Sequence, residues 1–173
     1  MNKQLQKLYD SIEAQRINLL SSVQNLPADK LNGRLQGKWS INQIIAHLIA
    51  AERLTVTYIE KKIQGVNDVD DSGLREELKM ILLILSQRLP FKFRAPKVVV
   101  ENTAKETELS KLADNWGIVR TDFKKLLDGI EDQHLRRKIY KHVRVGMMNI
   151  THAVKFFREH VSHHTPQIKK LLK

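Results

Sequence analysis

The sequence predicts an all-α fold, a four-helix bundle with an extra helix and long connections. Three observations carry this. Four stretches of roughly twenty residues repeat apolar side chains at three- and four-residue intervals, which lines one face of a helix. Pro27, Gly33, Gly37, Gly65, Pro90 and Gly129 fall between these stretches, where they break helical register. Val98 to Val100 could pass for a short strand, but one strand without a partner makes no sheet.

In chain order, Leu5, Leu8, Ile12, Leu19 and Val23 form the stripe of a first helix over Asn2 to Val23. The segment PADKLNGRLQGK then reads as a surface loop. Ser40 is a good N-cap, Gln43 three residues on completes a capping box, and Trp39 can staple onto Ile44. A helix from Ile41 to Ile63 follows, stopped by Gly65, with Ile41, Ile44, Ile45, Leu48, Ile59 and Ile63 on its core face. His47 sits beside Ile44 and Ala51 at the edge of that face. After the turn NDVDDSG, in which Ser72 can cap, Leu74 to Leu89 carries Leu78, Ile81, Leu82 and Leu85 in helical register and ends at Pro90. PFKFRAPKVVVENTA reads as an extended connection, having two prolines and no helical period. Leu109, Leu112, Trp116, Val119, Phe123 and Leu126 mark a helix over Glu106 to Leu127. Residues 129–148 form a basic connection bearing His134 and His142. Asn149 caps the last helix, whose inner face holds Ala153, Phe157, His160, His164, Gln167 and Leu171.

At 173 residues the chain has room for one domain, 1–173, with a sizeable core. Its 42% hydrophobic and 28% charged residues describe an ordinary globular protein. It has no cysteine, which excludes disulfides and thiolate metal sites, so any metal must be held by His, Asp or Glu. MNKQLQKLYDSIEAQR lacks the apolar centre of a signal peptide, and no run of about 18 apolar residues offers a membrane span. The cytoplasm is the expected compartment. Net charge is +11, densest at Arg136, Arg137, Lys138, Lys141 and Arg144, with Lys169, Lys170 and Lys173 at the end. A basic surface attracts anions. No finger, P-loop or Gly-rich RNA motif accompanies the charge and aromatics are 6%, so a solvated basic face is expected in place of a nucleic-acid site.

The histidines give the chemistry. His160 and His164, four apart on the last helix, stand one turn apart on one face and can turn toward one metal ion. His163 is rotated away from His164. His47, in mid-helix on an inward face, supplies a third imidazole. Three neutral imidazoles suit Zn²⁺, Ni²⁺ or Fe²⁺ and leave an open coordination position, the catalytic arrangement. The bland alternative is a hydrogen-bonded core histidine plus a chance i,i+4 pair. No Ser–His–Asp set, Gly-rich nucleotide loop or close carboxylate pair competes as a site.

WSINQIIAHLIAAE (Trp39 to Glu52), then the PFKFRAPK connection, then FFREHVSHHTPQI, resembles the DinB-like (DinB/YfiT) superfamily of metal-dependent four-helix-bundle enzymes. The likeness spans the whole chain and rests on W-S…H-L…E followed by H-x-x-H-H-x-x-Q. It implies an up-down-down-up bundle, with His47, His160 and His164 as ligands of a divalent metal. It also implies a homodimer and a small-molecule substrate: a thiol S-transferase using a low-molecular-weight thiol, or a hydrolase-like or isomerase activity. The alternative is a non-catalytic binding bundle whose metal site is empty or structural. Among the neighbours, Glu52 either orients an imidazole or is a partly exposed helix glutamate. Gln167 either bonds to His163 or lines the pocket. His163 is expected to bond to a neighbouring helix, Tyr58 to sit in the core, and His134, His142 and His152 to be surface or connection residues.

Overall fold

The computed structural model describes residues 1–34, 38–89, 96–105 and 108–172. Helix α1 (Lys3–Ser21) starts at Asn2, whose side chain accepts from the backbone N–H of Gln4. A short α2 (Ala28–Asn32) occupies part of the expected loop, anchored by the buried Leu31. Helix α3 (Ile41–Ile63) begins with the capping box read from the sequence: Ser40 Oγ accepts from Gln43 N, and Gln43 Oε1 from Ser40 N. Then come α4 (Leu74–Arg88), α5 (Lys97–Asn102) and α6 (Leu109–Asp128), strands β1 (Tyr140–His142) and β2 (Gly146–Met148), and α7 (Ile150–Leu171). Asn149 caps α7, accepting from His152 N.

Cross-chain pairs fix the direction of the four long helices. Tyr9 Oη donates to the Arg120 carbonyl, and the Met1 amino group meets Asp128. Early α1 therefore lies against late α6, and the two are antiparallel. Glu52 meets Trp116 and Arg120, and Glu60 and Ile63 share a surface depression with Asp122 and Leu126, so α3 and α6 are parallel. His47 meets His160 and His164, and Tyr58 meets Met147 just before α7, so α3 and α7 are antiparallel. The result is the up-down-down-up order, with a contiguous core that includes Leu5, Ile12, Ile44, Leu48, Trp116, Phe123 and Phe157.

The helical register read for Leu74 to Leu89 holds, and three other expectations need correction. The Leu78/Ile81/Leu82/Leu85 stripe faces solvent; α4 instead turns Glu76, Met80 and Leu83 inward. Helical period reports a face, not what covers it. Val98 to Val100 is helical, because Pro96 opens α5 and Val99 is buried against Ala50 and Ala51 of α3. Residues 90–95 of the predicted connection, Gly37 and the predicted helix start at Glu106 lie outside the described residues. Part of the 129–148 connection is a hairpin with Tyr140 opposite Met148 and His142 opposite Gly146. Gly146 has φ 80°, a conformation glycine adopts without Cβ strain. Finally, the basic cluster is partly engaged by the chain itself. Arg136 donates to the Ser72 carbonyl and Arg137 to the Val69 carbonyl, while Lys138 stands 3.4 Å from an Asp70 oxygen.

Candidate metal centre

The capping box starts α3 at a fixed residue, which sets the rotation of His47 two turns on. Trp39, just outside the cap, packs its ring 4.8 Å from that of His47. From the antiparallel α7, one turn apart, His160 and His164 reach the same point. Their Nε2 atoms stand 3.2 Å apart, and His47 Nε2 is 3.2 Å from His160 Nε2. All three candidate ligand atoms lie within 4.8 Å of one another. Two nitrogens bound tetrahedrally to zinc at ordinary bond lengths stand about 3.3–3.4 Å apart. The two 3.2 Å edges are close to that separation, and the remaining pair lies within 4.8 Å.

Proton bookkeeping points the same way. Gln167 Oε1 accepts from His164 Nδ1 at 3.1 Å, which places that ring's proton on Nδ1 and leaves Nε2 a bare lone pair. His160 Nε2 faces two other Nε2 atoms, and one proton can serve only one of those contacts. His47 Nδ1 and His160 Nδ1 are buried without a partner among the described residues. Buried polar atoms are normally bonded, and these two ring nitrogens, on the side of each imidazole away from Nε2, are exceptions. The rings are also held neutral. Burial is the main cause, with neighbouring imidazoles adding to it: His47 is pushed down to about 4, His164 down to about 3, and His160 well below the ordinary histidine range. Neutral imidazole is the ligand form.

The neighbours follow the expectations unevenly. Glu52 is neither an exposed glutamate nor an orienter of imidazole. It is buried, accepting from Trp116 Nε1 at 2.8 Å and from Arg120 Nε and Nη2 at 2.8 and 2.7 Å. Gln167 bonds to His164, not His163. His163 Nδ1 lies 2.7 Å from the Gln87 carbonyl of α4, the neighbouring-helix bond expected of it. Tyr58 is partly buried and its hydroxyl meets Met147 Sδ, away from the imidazoles. His134 and His142 lie in the connection expected for them but are buried, and His152 is buried on α7, where a surface position was expected. His134 bonds to Asn67 and His152 to Glu77, while His142 packs edge-on against Phe156, which itself stacks on His160. Sequence reasoning misses Arg120. It follows Val119 and stands one turn after Trp116, and a cation so placed on an apolar stripe signals a buried anion nearby.

A family model described as the DinB superfamily matches residues 11–168. The chain belongs to the DinB superfamily. Among solved structures, this DinB-superfamily chain is similar to YfiT from Bacillus subtilis, described as a probable metal-dependent hydrolase with an unusual four-helix bundle topology. The two are 17% identical with a TM-score of 0.61, over 99% of this chain and 87% of that one. At that identity the likeness establishes the fold. No curated protein sequence matches the chain. Among the described residues, no helix is long and apolar enough to cross a membrane.

Proposed function

We propose that this chain, folded as one domain, is a metal-dependent enzyme acting on a small molecule, with His47, His160 and His164 as the ligands of one divalent cation. The observation carrying the proposal is the convergence of three neutral imidazoles on a point, with two Nε2 edges of 3.2 Å. A divalent cation bound there supplies Lewis acidity, lowering the pKa of a small nucleophile beside it and polarising an electrophile. The chain's own residues have separable roles. His160 and His164, one helical turn apart on α7, set the pair separation, and His47 closes the triangle from α3. Gln167 fixes the His164 tautomer. Phe156 and Trp39 flank the imidazoles with apolar rings that exclude bulk water from two sides.

Three protein ligands leave room for substrate, which favours catalysis over a structural role. Two nucleophiles fit. Water gives a hydrolase, and the similar YfiT structure is described as a probable metal-dependent hydrolase. A low-molecular-weight thiol gives an S-transferase, and one observation favours it. The carboxylates nearest in sequence to the ligands, Glu52 and Glu159, are each held by an arginine and unavailable as a general base. A thiol, more acidic than water, needs less help to ionise.

Elemental analysis of untagged protein tests the site. About one zinc, nickel or iron per chain is expected, and none in a His160→Ala/His164→Ala variant that keeps its helical circular dichroism. Protein that binds no metal after incubation with each of the three ions sinks the proposal. A parallel screen of esters against thiol–electrophile pairs then separates the two reactions.

A further inference from the structure

Of the twelve large hydrophobic residues exposed among the described residues, six lie on α4 and its C-cap: Leu74, Leu78, Ile81, Leu82, Leu85 and Leu89. Leu74 is 90% exposed and the other five are 49–57% exposed. Their spacing keeps them on one side of the helix, opposite Glu76, Met80 and Leu83. Together they present on the order of 600 Å² of hydrocarbon, more than an ordinary monomer leaves in one patch and close to one partner's share of a standard interface. Charge stands only at the edges of the stripe, with the exposed Arg75 on one side. Glu77 is bound by His152, and Arg88 by Glu159, both on the side of α4 that meets α7. Whatever covers the stripe must itself be apolar.

The order of the six positions names the occupant. Their successive spacings are four, three, one, three and four, which read the same in both directions. A two-fold axis passing between Ile81 and Leu82 therefore sets Leu74 against Leu89, Leu78 against Leu85, and Ile81 against Leu82 of an antiparallel copy. Every apolar side chain finds an apolar partner, with none left over. Such self-matching is what an isologous contact requires, and an unrelated partner has no need of it. The like-charged pair this register brings near, Arg75 and Arg88, includes an Arg88 already neutralised by Glu159. We infer that α4 is the dimerisation helix, pairing antiparallel with α4 of a second copy about an axis at Ile81 and Leu82.

Sedimentation equilibrium on the full chain tests this, independently of the metal site. The expected result is a species of twice the chain mass at micromolar concentration. Leu78→Glu or Leu85→Lys alone should give monomer. The double variant Leu78→Glu/Leu85→Lys should recover the dimer, because the register sets the two new charges against each other across the axis. Ile17→Glu, at an exposed position on α1, should leave the dimer intact. Because these side chains are exposed, circular dichroism should stay unchanged throughout. A parent chain that remains monomeric overturns the inference, including the case in which it instead sediments with lipid vesicles. So does a dimer that the α4 substitutions leave untouched. A dimer that both single variants break and the double variant does not restore overturns the antiparallel register.

Discussion

Among the described residues, Gln167 is the side chain outside the three histidines that hydrogen-bonds a candidate ligand, and its contribution can be measured. Its amide oxygen holds His164 with the proton on Nδ1, so Nε2 stays available to a cation. Outer partners of this kind typically change metal affinity by about 10–100-fold when removed. Gln167 is exposed and its bond to His164 is 3.1 Å, so the lower end applies. Gln167→Ala should therefore weaken zinc binding about tenfold in a chelator competition assay, while Gln167→Glu, which keeps an acceptor at the same reach, should restore it. Equal affinity in all three proteins would mean that Gln167 only lines the rim. At this scale the sequence is informative where spacing decides geometry. His160 and His164 are joined by one turn of helix, and His47 sits on an inward face, so their meeting follows from local rules. It is silent where the partner is remote. Arg120 lies 68 residues from Glu52, and nothing local says that the two carry one buried charge pair between them.

At the scale of elements, that pair is the polar link between α3 and α6. Both residues are 1% exposed, with two guanidinium bonds and an indole bond on one carboxylate. Removing one partner strands a charge in the core at a cost of about 3–5 kcal/mol, whereas replacing the pair by apolar groups of like volume costs much less or stabilises. Glu52→Leu and Arg120→Met should each lower the urea-unfolding free energy by about that amount, and the double variant by clearly less than the two added together. Strictly additive losses would show that the two residues act through packing alone. The elements themselves are legible in proportion to their length and their caps. Helices α3 and α7 announce themselves by Ser40 and Asn149 with long stripes behind them. Helix α5 is six residues and each strand three, too short for any periodicity to appear. For α4 the stripe is helical as its spacing predicts, but periodicity cannot distinguish a face that meets the core from one left for another molecule.

Over the whole molecule, the histidines give stability a direction in pH. Burial pushes His47 and His142 down to about 4 and His164 to about 3, lowers His152, and holds His160 well below the ordinary range. Each of these rings binds its proton more readily in the unfolded chain, near pH 6.5, than in the folded one. Acid therefore favours unfolding. The stabilisation from neutral burial is complete above about pH 6.5 and is lost as pH falls toward 4. A tenfold loss of proton affinity on folding corresponds to about 1.4 kcal/mol of difference between the stability at neutral pH and that in acid for a group so shifted. The urea midpoint of metal-free protein should fall steadily between pH 7 and pH 4.5. His142 and His152 lie outside the candidate ligand set, so a His160→Ala/His164→Ala variant should keep part of that slope and lose the rest. Saturating zinc at pH 7 should raise the midpoint of the parent and leave that of the variant unmoved. A flat midpoint across the window would mean that the imidazoles take up protons in place, and that the neutral, ligand-ready cluster is not what the folded chain holds in solution.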